Sequence, residues 1–115
     1  MNTINIGNAG TAYATTPNLI YTGAQIGDVI GFLGDAAGVT AQANVTSGAT
    51  AGATITALEL VSAATAHKAA ISTFGGNTYI SESDTGVSST THTSLIELIG
   101  VHTFSIVGGN LVVAS

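Results

Sequence analysis

FGGNTYISESDTG, residues 74–86, decides how the chain reads. Gly75-Gly76-Asn77 is a run that accepts positive φ at little cost, so it predicts a tight turn between two strands. AISTF lies on one side of it and TYISES on the other, both rich in β-branched and aromatic residues. The stretch then passes into an acidic, Gly-containing loop. Glu82 and Asp84 read there as a polar turn closing a hairpin, with a calcium site as the functional alternative. Two carboxylates, neighbouring hydroxyls and Gly86 for the bend are what a hard cation would use, although the spacing is not that of an EF-hand loop.

Outward toward the C-terminus, SLIELIGV predicts a further strand. TFSIV and LVVA then flank Gly108-Gly109-Asn110, a second hairpin of the same kind. Toward the N-terminus, TALELVSAATAHKAA predicts the one helix, over about residues 57–69. Thr56 and Glu59 stand three apart as a capping box, and His67 and Lys68 suit the dipole of the last turn. The stripe of Leu58, Val61 and Thr65 is narrow and implies close packing on a sheet. NTINIG, PNLIYTG and GDVIGFLGD are each bounded by turn residues and predict strands, most simply paired as an antiparallel meander. Residues 39–45 predict an edge strand. The fold class expected is therefore mainly β: one domain over residues 1–115, an antiparallel β-sandwich or meander-rich sheet with one short helix packed on it.

Composition narrows the function. The 115 residues carry a net charge of −5, one Lys, no Arg and no Cys. Charged residues make up 6% of the chain, against roughly 25% in an average soluble domain. Phosphate binding needs several cations, so nucleic acid is excluded as a partner, and anionic membrane surfaces are disfavoured for the same reason. The mean hydropathy of +0.51 comes from Ala, Val and Ile scattered among Gly, Thr and Ser. No continuous apolar run of about 20 residues predicts a transmembrane segment. Thiolate metal sites and disulfides are impossible. No Ser lies in a nucleophile elbow, and His67, His92 and His102 are each isolated in sequence, so catalysis is not expected. His92 and His102 stand ten apart, outside the short spacing of a zinc motif. The Asp residues of Gly27-Asp28 and Gly34-Asp35 read as turn residues rather than ligands.

The second half of the chain resembles the C-terminal domain of bacterial surface-layer and RTX-type proteins exported by type I secretion. An Ala-rich helix, the GGNTYI turn-strand, the SESDTG loop and the LIELIGV strand carry that resemblance over about residues 57–115. It implies an extracellular, β-rich module with a structural, assembly or secretion role, commonly near calcium-binding repeats. Sparse charge independently favours a chain whose copies pack against one another. The expected function is a self-assembly module of a bacterial surface layer or extracellular filament, without catalysis. Its copies would join as a homo-oligomer or polymer through sheet edges or strand exchange, with Thr3, Ile4, Asn5 and Ile6 as the candidate assembly strand. The alternative is a calcium-dependent cap, adhesin or secretion-associated domain of a larger exported protein.

Overall fold

Both Gly-Gly turns form as their chemistry requires. In the computed structural model, which describes residues 1–7, 14–84 and 93–115, Gly75 and Gly76 have φ of 62° and 81°, and Gly108 and Gly109 of 59° and 81°. The first turn joins β5 (Lys68–Phe74) to β6 (Asn77–Ser83), and the second joins β8 (Phe104–Val107) to β9 (Asn110–Val113). The remaining strands are β1 (Thr3–Ile6), β2 (Leu19–Tyr21), β3 (Val29–Phe32), β4 (Ala41–Asn44) and β7 (Thr93–Leu98). Helix α1 spans Ala51–Ala64. The protein is mainly β with a single helix among its described residues, as its composition and turn signals imply.

The strands form two sheets, one of four in the order β1-β3-β9-β8 and one of five in the order β2-β7-β6-β5-β4. Pairing in the first third departs from the expected antiparallel meander. β1 runs parallel to β3, β2 parallel to β7 and β4 parallel to β5. From β1 to β4 consecutive strands alternate between the sheets, so each finds a partner from elsewhere in the chain. A parallel neighbour needs a long crossover, which β2 of the other sheet supplies between β1 and β3 and helix α1 supplies between β4 and β5. Both sheets are therefore mixed. Residues 39–45 do supply an edge strand, β4.

Alternation along each strand divides the core into two layers. Ile4, Ile6, Ile30, Phe32, Leu111 and Val113 of the four-stranded sheet face Ala69, Ile71, Ile80, Ile96 and Leu98 of the five-stranded one. The opposite face of the larger sheet presents Ala70, Tyr79 and Leu95 to Ile55 and Leu58 of α1. The order of layers is sheet, sheet, helix.

The helix starts six residues earlier than 57 and ends five before 69. Thr50, in an extended conformation, is its N-cap, and the Thr50 hydroxyl accepts from Ala53 N at 3.1 Å. Thr56 makes no capping box; its hydroxyl donates back to the Gly52 carbonyl at 3.0 Å, within the second turn. Thr and Gly are both poor helix formers, so the Thr50 cap and tertiary packing together extend the helix over residues 51–56. At the other end Thr65 is extended, and His67 and Lys68 lie beyond the helix, in the turn and at the start of β5.

One close approach fixes the β3–β4 connection. Gly38, with φ of 79°, lies against Gly109 of the β8–β9 turn, and Val39 N donates to Gly109 O at 2.8 Å. A Cβ at Gly38 would stand 2.8 Å from both the Gly109 Cα and its carbonyl oxygen. Gly38→Ala must therefore move backbone as well as accept a left-handed conformation. We expect a loss of about 2 kcal/mol in the urea unfolding free energy. A loss below about 0.5 kcal/mol would mean that the two loops do not meet in solution.

Candidate functional site: a buried carboxylate–histidine cluster

Period-two alternation carries β6 inward at Thr78, Ile80 and Glu82, because the strand continues through Ser83 instead of ending in a loop. Glu82 is thus buried between the sheets, at 1% exposure. Its neighbours come from two other connections. Asp35, also buried, sits in the β3–β4 connection, where Asp35 N donates to Phe32 O and Gly38 N donates to Asp35 O, each at 3.0 Å. His67 occupies the α1–β5 turn. Its N–H donates to Ser83 O at 2.9 Å and its carbonyl accepts from Thr40 N at 2.8 Å, which pins the turn between β4 and β6.

His67 Nδ1 lies 2.8 and 2.7 Å from the two Asp35 carboxylate oxygens. Ligand atoms of Asp35, His67 and Glu82 all fall within 4.8 Å of one another. His67 has φ of 64°, the one non-glycine residue with positive φ among the described residues. Such a conformation persists only where its surroundings over-determine it. Glu82 Oε2 is buried and has no hydrogen-bond partner.

Two carboxylates this close cannot both ionise cheaply. Burial first, then the hydrogen bond and charge of Asp35 and the charge of Asp84, push the Glu82 carboxyl up to about 9. Burial also acts to raise Asp35, but it is outweighed. Hydrogen bonds with Glu82 and His67, the His67 charge and the Gly38 amide together bring Asp35 below the usual carboxylate range. At neutral pH and without an ion, Glu82 carries the proton and Asp35 the charge.

Other acids behave differently. Asp28 accepts from Asn2 N at 2.8 Å and Gln25 N at 2.9 Å, and these two backbone amides hold its pKa below the ordinary value. It ties the N-terminal strand to the start of β3. Glu59 of α1 is 1% exposed, and neither carboxylate oxygen has a hydrogen-bond partner of good geometry. Burial pushes its pKa up to about 7, despite the nearby Ala14 amide. Glu59 lines a largely apolar cleft of about 550 Å³ beside Ala14, Ile55 and Leu60.

Of the residues singled out in sequence, Glu82 is in the cluster. Asp84 follows it at the end of β6, half-buried and near enough for its charge to act on Glu82. Thr85, Gly86 and His92 lie outside the described residues. Thr3, Ile4, Asn5 and Ile6 form β1, an outer strand of the four-stranded sheet, with Ile4 and Ile6 turned into the core. Asp35 and His67 were missed as site residues. The first reads as a turn residue and the second as a helix terminus. The available signal was the alternation of Thr78, Ile80 and Glu82, which points an acid at the core.

Comparison with protein-family models, with curated proteins and with solved structures found no match. No helix among the described residues is long and apolar enough to cross a membrane.

Proposed function

We propose that the protein is a structural self-assembly module of a bacterial surface layer or extracellular filament, working through contacts between copies and not through catalysis. The observation that carries this reading is the composition of the sheet edges. The outer strands are TINI, LIY, AQAN and FSIV, and none contains a charged residue or a proline. Soluble proteins guard such edges with Lys, Pro or inward charges, because an open edge is a template for another strand. Ile20 on β2 and Val107 on β8 add solvent-facing aliphatic side chains, 58% and 60% exposed. With a single Lys in the chain, little electrostatic repulsion separates copies once the acids are buried or screened.

Electron microscopy and light scattering across a concentration series test the reading. The native chain should form ordered sheets or fibres. A triple variant, Asn5→Lys, Ile20→Lys and Val107→Lys, places one cation on each of three edges. It should raise the concentration needed for assembly by roughly tenfold or more, since each like-charge meeting is unfavourable. Its thermal midpoint should be unchanged, because all three side chains point outward. A native chain that stays monodisperse at every concentration sinks the polymer and leaves a cap or adhesin domain as the reading to pursue.

A further inference from the structure

We propose that Asp35, His67 and Glu82 form a binding site for a first-row divalent cation, with Zn2+ the best-fitting ion. The donor set decides the class. One imidazole nitrogen and two carboxylates suit zinc-like ions, whereas calcium takes six to eight oxygen ligands and does not favour nitrogen. Charge selects a dication, and the nitrogen donor selects among dications. Two carboxylates and a neutral imidazole carry −2, so a dication brings the buried cluster to neutrality. Without the ion, a proton has to be retained among groups of like charge.

The geometry is close to what zinc requires. Zinc–ligand bonds of about 2.0–2.2 Å in a tetrahedral site put donor atoms roughly 3.3–3.5 Å apart. Here the three donors lie within 4.8 Å, and His67 Nδ1 stands 2.7 Å from Asp35 Oδ2. Replacing the bridging proton by the ion therefore opens the Asp35–His67 pair by roughly 0.6–0.8 Å and draws Glu82 inward. Glu82 Oε2 is buried and without a hydrogen-bond partner, so its carboxylate has acceptor capacity left for an ion. The His67 side chain is 30% exposed and gives a path from solvent, while Asp35 at 1% gives none. Three elements meet here, the β3–β4 connection, the α1–β5 turn and β6. A bound ion would tie together both sheets and the end of the helix. The left-handed backbone of His67 is explained if the turn is shaped to aim Nδ1 inward.

The test uses the full chain, stripped with chelator and titrated with ZnCl2, CoCl2 and CaCl2 separately by calorimetry and thermal melting. Zinc at about 100 times its dissociation constant should raise the midpoint by roughly 10 °C. Co2+ should develop the visible absorption of a low-coordinate site. Glu82→Gln keeps the shape of a protonated Glu82 and removes the anionic ligand, so zinc affinity should fall about 100-fold or more. Asp35→Asn gives a second reading of the same site should the first variant fold poorly. His102→Ala removes a half-exposed imidazole elsewhere and should leave affinity unchanged. The proposal is overturned if zinc and cobalt produce neither heat nor a midpoint shift. It is equally overturned if His102→Ala abolishes binding while Glu82→Gln does not, or if Ca2+ binds more tightly than Zn2+, which would move the ion to an oxygen-only site. These outcomes are independent of whether the chain polymerises.

Discussion

Glu59→Leu should stabilise the protein by about 3 kcal/mol at pH 8.5 and by only about 1 kcal/mol at pH 5. The reason is a proton. Burial raises the Glu59 pKa from 4.5 to about 7, so the folded state holds this proton more tightly than the unfolded chain does. A raised folded pKa contributes stability that is fully present below about pH 4.5. That contribution is lost as the pH climbs to about 7 and is gone above it. At 1.36 kcal/mol per unit, the shift would amount to roughly 3 kcal/mol in a dry site; the adjacent cleft admits water and reduces this to about 2. The two oxygens without good partners add about 1 kcal/mol at any pH. Leucine removes both costs in an environment of Ala14, Ile55 and Leu60 that suits it. Denaturant melts of both proteins at the two pH values measure the difference. A variant that is destabilised, or stabilised equally at both pH values, would show that Glu59 is solvated and ionised in the fold.

Glu59 belongs to a wider pattern. The chain has only six acids, and Asp28, Asp35, Glu59 and Glu82 are all at least 95% buried. Acids are among the residues least often buried, and each burial needs its own compensation. Asp28 has backbone donors and a structural task at the start of β3. Asp35 has His67 and the Gly38 amide. Glu82 has a proton and the position for a cation, while Glu59 has its proton and the nearby Ala14 amide. A protein that spends four of six acids in its interior has little surface charge left to keep copies apart. The candidate cation site and the unguarded sheet edges thus arise from one distribution of charge.

Local chemistry was legible in the sequence. The two Gly-Gly turns, the strands they join and the edge position of β4 follow from residues within a few positions of one another. Nonlocal pairing was not. Nothing in TINI selects a parallel partner at residues 29–32, or in AQAN one at 68–71, because parallel register is fixed by long crossovers, through β2 of the other sheet in the first case and through α1 in the second. That same pairing hid the cluster. Ala41 opposite Lys68 brings the end of the β3–β4 connection beside the α1–β5 turn, and so Asp35 beside His67. The helix boundary was misplaced for a local reason. Thr50 and Thr56 are equally good caps, and Gly52 argues against a helix that includes it.

The helix itself rests on very few large side chains, and Leu58→Ala should therefore cost about 4 kcal/mol. The buried face of α1 consists of Thr54, Ile55, Leu58, Glu59, Ser62 and Ala63, of which only Ile55 and Leu58 are large and apolar. Small residues allow close approach to β5 and β6, as the 2.8 Å contact between the Ser62 and Ser81 hydroxyls shows. Close approach means that a cavity at Leu58 cannot collapse: a sheet backs it on one side, with Tyr79 and Leu95 already buried against it. Buried Leu→Ala changes cost roughly 2–5 kcal/mol, with the larger values where the site stays open. Val61→Ala, on the half-buried flank, should cost less than about 1 kcal/mol. Amide exchange would separate local from global loss, since residues 51–64 should exchange ahead of β5, β6 and β7 in the Leu58 variant. The α1–β5 turn holds His67, so a loosened helix should also weaken cation binding while leaving every ligand side chain in place. A Leu58→Ala cost below about 1.5 kcal/mol, with uniform exchange, would mean that the two sheets fold without the helix and that His67 is held by Ser83, Thr40 and Asp35 without its help.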